Sequence, residues 1–338
     1  MAVKNESSID NLDYYVEQMK SLQNLQKQAR SGVLRAWAIA LPAMALAGYA
    51  SNKVFPGVFG WILTAATVTA ILFWVLQRQH AAQQPYRNAY REKVLQPLIE
   101  QILPGFKHEP EEGIARDVYM ASRLFPTSPD RYSSEDRFEG EVDGVPLTFA
   151  EVHAEEEQED CDDDGCHTSY STIFKGLFAL VEFPKKFKGT ILLYPDRSEK
   201  LLGALSRSLQ NLGGRFRGLQ LVKLEDPVFE RYFVVFGDDP LVARYVLSTS
   251  MMERLRQFRE RYGEVYASFL DGALYLAMPQ KRNLFEQPSL FHNAVDVRGL
   301  ELYADALKMM RDVVRELQLN VRIWGERALG EDAAKDNG

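Results

Sequence analysis

From Val54 to Gln77 the chain carries no charged residue. Crossing about 30 Å of hydrocarbon takes roughly 20 apolar residues, because each helical residue advances the axis by about 1.5 Å. Gly57–Leu76 meets that length, so this stretch predicts a helix that crosses a membrane. The preceding run, Gly32–Ala50, carries Arg35 near its start and Pro42 in its middle. Both are compatible with a first span, since arginine snorkels to the headgroups and lipid tolerates a mid-helix proline. Trp37, Tyr49, Phe55, Trp61 and Trp74 fall near the ends of the two runs, where amphipathic rings favour the interface.

The short connection Ser51–Pro56 makes the two spans antiparallel. Lys20, Lys27, Arg30 and Arg35 precede the first span and Arg78, Arg87, Arg91 and Lys93 follow the second, while the connection holds only Lys53. The positive-inside rule therefore places both termini in the cytoplasm. No cleavable signal peptide is expected, because the first 30 residues are polar and the apolar run starts late. Small residues recur at four-residue spacing, Ala36 with Ala40, Ala43 with Ala47 and Ala66 with Ala70, which suits close helix approach within the hairpin or between copies in a homo-oligomer.

Flanking the hairpin are two amphipathic stripes: Ile9, Leu12, Val16, Met19 and Leu22 before it, and Tyr86, Tyr90, Val94, Leu98 and Ile102 after it. Their spacing of three and four predicts helices that pack as a juxtamembrane stalk, with Pro85 and Pro97 as kinks and Leu103-Pro104-Gly105 as its end. The organisation read from these patterns is a cytoplasmic amphipathic helix over 1–31, a transmembrane hairpin over 32–77, a stalk over 78–105, a cytoplasmic α+β domain over 106–328 and a polar, frayed tail over 329–338.

Beyond the stalk the period changes from three or four to two. Val142-Asp143-Gly144-Val145 and Leu270-Asp271-Gly272-Ala273 put Asp-Gly between apolar runs, the signature of two-residue hairpins. A third hairpin is predicted from Gly176–Phe183 and Thr190–Tyr194 around the basic turn Pro184–Gly189, and a short strand over Arg231–Phe236. Asp239-Pro240 predicts a capped helix start, and Ser250 with Glu253 a capping box ahead of the stripe Met251, Leu255, Phe258 and Tyr262. A last helix carries Leu300, Tyr303, Leu307, Met310, Val314 and Leu317. Antiparallel hairpins mixed with packed helices define an α+β class.

Net charge is −7, and Glu151–Asp164 alone holds nine carboxylates without a lysine or arginine. The remainder is nearly balanced, which argues against a nucleic-acid partner. Two cysteines, Cys161 and Cys166, fit a reducing compartment. With His153 and His167 they supply the donor types of a tetrahedral zinc site, provided the acidic loop folds His153 back onto the Cys-His pair. The same loop offers oxygen donors for calcium or magnesium. Lys185, Lys186 and Lys188, with Arg215 and Arg217, form two basic aromatic turns able to meet anionic lipid headgroups. Glu225-Asp226 and Asp238-Asp239 sit where helices should start and read as caps. His80, His108 and His292 read as isolated. P-loop, dinucleotide and nucleophile-elbow motifs are missing from the sequence, so no catalytic residue is assigned.

Several blocks occur in a recognisable order: Pro104-Gly105-Phe106, Leu124-Phe125-Pro126, Asp130-Arg131-Tyr132, Gly144-Val145-Pro146 and Glu151–Glu155. Ile173–Phe178, Leu221–Asp226 and Phe233–Asp239 continue it. Over about residues 85–325 this order resembles the bacterial membrane-protein family catalogued as domain of unknown function 3137. The resemblance implies a bacterial inner-membrane protein with two spans near its start, a cytoplasmic domain and a LemA-type membrane-anchored helical protein as partner. It supplies no reaction. The sequence therefore reads as a membrane-anchored cytoplasmic scaffold, sensor or binding protein without a cofactor. The alternative is a membrane-tethered enzyme with zinc at His153, Cys161, Cys166 and His167.

Overall fold

The computed structural model describes residues 9, 11–55, 57–162, 165–182, 187–195, 218–285, 290–291, 293, 295–317 and 319. The chain divides into two compact units, Met1–Gln101 with Glu286–Asp305, and Ile102–Phe285 with Ala306–Gly338.

The first unit is helical. Helix α1 (Leu12–Ser21) leads into α2 (Gln23–Val54), and α3 (Val58–Tyr90) returns antiparallel to it. Both long helices overrun the apolar stretches read from sequence, and both are long and apolar enough to cross a membrane. Gly32 approaches α3 so closely that a Cβ there would lie 3.1 Å from Cβ of Ala82. Ala36 and Ala40 are buried, whereas Ala66 and Ala70 are exposed. After α3 the backbone makes one π turn, Arg91–Leu95, before α4 (Gln96–Ile102). Pro97 explains the irregularity: it has no N–H to donate to the Lys93 carbonyl, so the ladder shifts just ahead of it. The stripe of this segment is buried at Tyr86, Tyr90, Val94 and Leu98, as are Tyr15, Met19 and Leu22. Tyr15 Oη donates to Gln101 Oε1 at 2.8 Å, tying α1 to α4.

The second unit is built on one antiparallel sheet: β1 (Lys107–Glu109), β2 (Arg131–Val142), β3 (Val145–Asp162), β4 (Gly165–Glu182), β5 (Thr190–Pro195), β6 (Gln220–Leu221), β7 (Phe233–Gly237), β8 (Tyr266–Leu270) and β9 (Ala273–Pro279). Their spatial order is β1-β2-β3-β4-β9-β8-β5-β7-β6. Both Asp-Gly pairs form their hairpins, with φ of 51° and 80° at Asp143 and Gly144 and of 48° and 85° at Asp271 and Gly272. Positive φ at both central residues gives the twist that antiparallel neighbours require.

Three sequence expectations are corrected. The segments Gly176–Phe183 and Thr190–Tyr194 do contain strands, but β4 and β5 do not pair. The β8–β9 hairpin lies between them, with β9 on β4 and β8 on β5. The acidic loop is no loop: Glu155–Asp162 pairs residue by residue with Gly165–Thr172, extending β3 and β4 into a two-stranded ribbon. Cross-strand bonds from Ser171 Oγ to Glu156 (3.0 Å) and from Tyr170 Oη to Glu157 (3.1 Å) support it. The capping box does not close either, since α7 (Thr249–Tyr262) starts two residues earlier, with Ser248 at its N-cap position and no side-chain cap bond, and the Glu253 carboxylate pairs with Arg256.

Around the sheet, α5 (Arg116–Ala121) covers Ala150, Val152, Ala154, Phe174 and Phe178. Helix α6 (Pro240–Val246) starts as expected, with Asp239 Oδ1 accepting from Leu241 N at 2.8 Å. Helix α8 (Val297–Glu316) buries Leu300, Tyr303, Leu307, Met310 and Val314, and contributes its first turns to the helical unit and the rest to the sheet unit. Within the sheet unit Tyr262 Oη donates to Asp312, joining α7 to α8. The tail beyond residue 320 lies outside the described residues.

Gly176 sets how near β9 can lie to β4. Its φ is +152°, and a Cβ there would fall 2.2 Å from the Met278 carbonyl oxygen and 2.7 Å from Gln280 N. Neither is a side-chain end that could swing away. Gly176→Ala should therefore lower unfolding stability by about 1–3 kcal/mol, as overpacked substitutions do; urea midpoints of the detergent-solubilised chain with an unchanged m-value would measure it.

Candidate binding pocket between β2, β3 and the 282–285 segment

Side chains alternate across β3, so Ala150, Val152 and Ala154 face α5 while Leu147, Phe149, Glu151 and His153 lie on the opposite face. There, Phe149 stacks on Phe138 with ring centres 4.6 Å apart, Phe138 stacks on His108 at 4.1 Å, and Phe285 leans on Phe138 at 4.8 Å. Glu151 is the next residue along this aromatic face. It is only 8% exposed.

A bulge in β2 brings two more acids to it. From the Asp143-Gly144 turn, pairing runs regularly to Phe138 opposite Phe149, then slips by one, so that Glu135 stands opposite Glu151. Asp136 and Arg137 face the single residue Ala150, and Asp136 takes up the extra residue in the left-handed conformation, φ 56°. Asp136 N and Arg137 N leave the ladder to donate to the carbonyls of Pro110 and Glu112, both at 3.0 Å. Like charges directly opposite each other oppose sheet formation. One oxygen from each of Glu135, Asp136 and Glu151 lies within 4.8 Å of the others.

Each carboxylate is held by a donor from outside the trio. Asn283 Nδ2 donates to Glu135 Oε1 at 3.1 Å, the His108 ring meets Asp136 through Nε2 at 2.9 Å, and Leu284 N donates to Glu151 Oε1. Glu151 Oε2 is buried and has no hydrogen-bond partner among the described residues. The cavity here measures about 90 Å³ and is lined by Ser133, Ser134, Glu135, Glu151, Val152, His153, Lys175, Gly176, Arg282 and Asn283. At about 30 Å³ per water it holds about three waters.

Burial pushes the Glu151 carboxyl up to about 7, and the charges of Asp136 and Glu135 add to that shift against the nearby backbone N–H groups of Leu284 and Phe285, which lower it. Two environments for neighbouring carboxyls follow: Glu151 is buried and shifted toward its neutral form, while Glu135 and Asp136 are more open to water.

The structure does not bring the four expected zinc donors together. His153 stands opposite Lys175 in the body of the sheet, while Cys161 stands opposite Cys166 and Asp160 opposite His167 near the ribbon's end. His153 and Cys161 are eight residues apart on one extended strand, about 26 Å at roughly 3.3 Å per residue. The assembly needed a loop that folds back, and the chain makes straight strands instead. His153 Nε2 lies 3.4 Å from Glu155 Oε1. Of the basic turns, Lys188 is exposed, whereas Lys185, Lys186, Arg215 and Arg217 lie outside the described residues, as does His292. His108 is not isolated, since it is stacked on Phe138 and bonded to Asp136. The acid pairs read as caps are structural: Asp226 Oδ1 accepts from Val228 N and Phe229 N, and Asp238 Oδ2 from Thr190 N.

Sequence reasoning missed Glu135 and Asp136, and it counted Glu151 only within an acidic run. One signal was available. Leu147, Phe149 and Glu151 share one strand face, so an acid follows two large apolar residues where period two calls for a third.

Residues 172–319 match the family model described as "Protein of unknown function (DUF3137)". The matched span runs from β4 through α8 and contains the blocks Ile173–Phe178, Leu221–Asp226 and Phe233–Asp239 that carry the resemblance, while the blocks from Pro104 to Glu155 precede it. No curated protein matches the chain. Among solved structures, the crystal structure of the mycobacterial trehalose monomycolate transport factor A, TtfA, is similar at 12% identity and a TM-score of 0.32, covering 63% of this chain and 94% of that one. A likeness of that size carries no argument about fold or function.

The raised Glu151 carboxyl has a consequence for stability. Between the usual carboxylate value of 4.5 and about 7, the folded chain holds a proton there that the unfolded chain has released. Its contribution is thus fully present below about pH 4.5, declines as pH rises and is gone above about pH 7. In chelator-treated buffer, unfolding free energy measured from pH 5 to 8 should fall by up to about 3 kcal/mol in the wild type through this group. The Glu151→Gln variant should lose that part of the slope.

Proposed function

We propose that the chain is a bacterial inner-membrane protein whose α2–α3 hairpin crosses the bilayer twice, leaves both termini in the cytoplasm and presents the sheet unit there as a binding module. One observation carries the reading, which is the apolar surface that these helices leave open. Ile39, Leu41, Leu46, Val58, Phe59, Trp61, Ile62, Phe73 and Leu76 are each more than half exposed. Core helices of a water-soluble protein would bury such residues, yet only 17% and 11% of the two apolar windows are buried. Fully burying one such side chain stabilises by about 1.5–3 kcal/mol, so nine left in water forgo an amount comparable to the whole stability of a typical domain, roughly 5–15 kcal/mol.

The polar atoms within the hairpin agree with an apolar solvent. Thr64, Thr67 and Thr69 Oγ1 donate to the carbonyls of Gly60, Leu63 and Ala65 at 2.8–2.9 Å, and Ser51 Oγ donates to Ala47 O at 2.7 Å while also meeting Thr64 Oγ1 on the other helix. Hydroxyls that satisfy themselves on the helix backbone need no water. Arg78 lies over the Trp74 ring at 5.8 Å and Lys53 over Tyr49 at 5.6 Å, pairing a cation with an interfacial aromatic at one end of each span. The bias of Lys and Arg toward the outer flanks over the Lys53 turn orients the hairpin.

For the sheet unit, the reading is binding rather than catalysis. Its concave polar site is the cavity beside Glu151, and a membrane-anchored helical protein of LemA type remains the partner that the family resemblance implies. Exposed Ala66 and Ala70 suit a second copy of the hairpin.

A cytoplasm-active reporter fused after Gly338 should be active and a periplasm-active one silent, and the chain should stay with vesicles through alkaline carbonate. Release by carbonate, or activity of the periplasmic reporter alone, would refute the membrane assignment or its orientation respectively.

A further inference from the structure

We propose that Glu135, Asp136 and Glu151 bind a hard divalent cation, calcium or magnesium, where their carboxylates converge beside the cavity that Glu135 and Glu151 line. The proposal concerns the sheet unit and stands whether or not the helices cross lipid.

The donor set is all carboxylate oxygen, the chemistry that selects hard cations over zinc or copper. Three oxygens within 4.8 Å of one another match two calcium–oxygen bonds of about 2.3–2.6 Å placed on opposite sides of an ion, and a small contraction suits magnesium at about 2.0–2.1 Å. An acidic cluster alone would not make a site. The independent sign is Glu151 itself: a carboxylate more than nine-tenths buried on an aromatic face, whose Oε2 meets no donor among the described residues and which lines the cavity. A buried carboxylate oxygen without a partner is costly, and a cation bound in that space removes the cost.

The outer contacts have the arrangement that orients ligands before an ion arrives. Asn283, His108 and the Leu284 N–H each hold one of the three carboxylates, and the His108 ring is itself fixed by stacking on Phe138. The cavity has room for the waters that would complete a coordination shell. Lys175 and Arg282 also line it, and neither forms an ion pair with Glu151 among the described residues. If one of them turned inward it would compete with the cation as an internal counter-charge.

The test is calorimetric titration of the chelator-treated, detergent-solubilised full chain with calcium chloride and, separately, magnesium chloride. One ion per chain should bind, with a dissociation constant of about 1 mM or tighter in at least one arm. Glu151→Gln and Asp136→Asn should each weaken binding at least about tenfold, with unchanged circular dichroism, whereas Glu157→Gln on the ribbon should leave it unchanged. Two removals at different positions keep the result readable if one variant fails to fold. Absence of binding up to about 10 mM of either cation overturns the proposal. So does binding that survives both removals, or that falls equally in Glu157→Gln, which would mark a diffuse acidic surface. Binding that appears only in Lys175→Met also overturns it, by showing that lysine is the native counter-charge.

Discussion

The register between β3 and β4 is the constraint on which the sheet unit depends. These are its longest strands, they pair from Leu147 with Val181 to Asp162 with Gly165, and they carry β2 on one flank and β9 on the other. Because side chains alternate, a slip of one residue would exchange the faces of every strand attached to them. Ala150, Val152 and Ala154 would then leave α5, and Glu151 would enter the core that they vacate. The small residues on the α5 side and the large ones on the other make that exchange unfavourable twice over. Register, and not any single contact, holds Glu151 at the margin of an aromatic face.

The bulges show how a regular ladder is bent to a local purpose. Without the slip in β2, counting outward from Asp143-Gly144 sets Asp136 opposite Glu151; with it, Glu135 takes that place and Asp136 is turned aside toward His108. Three acids thereby share one neighbourhood where a straight strand would offer two on the same cross-strand row. A second slip, between Ala154 and Glu155, marks where β3 and β4 pass from the apolar body into the polar ribbon. Beyond it the described side chains are half-buried or exposed, and the pairing is supported by backbone bonds and polar cross-strand contacts such as Glu157 with Tyr170.

The helical unit distributes its side chains differently. Its hairpin presents large apolar side chains outward and folds its hydroxyls inward onto the backbone. Toward its other end the same long helices turn amphipathic, and Tyr86, Tyr90 and Val94 are buried while their neighbours Arg87 and Glu92 are exposed. The change from one regime to the other occurs within continuous helices, so it is composition along the helix, and not a break in it, that separates them.

Most patterns whose physics is local were legible, the unformed Ser250–Glu253 capping box being an exception. The uncharged run, the two Asp-Gly turns, the Asp239-Pro240 cap and the stripe of α8 each depend on residues within a few positions of one another, and each was readable from the amino-acid order. What only the tertiary structure decided were outcomes of competition between distant segments. Thr190–Tyr194 is a strand from its own residues, but whether it pairs with β4 depends on β8 and β9, some 80 residues further on. His153 and Cys161 have the chemistry of metal ligands, but straight strands keep them apart. Glu135, Asp136 and Glu151 converge because a bulge, a turn and the 282–285 segment meet there, and no spacing along the chain encodes such a meeting.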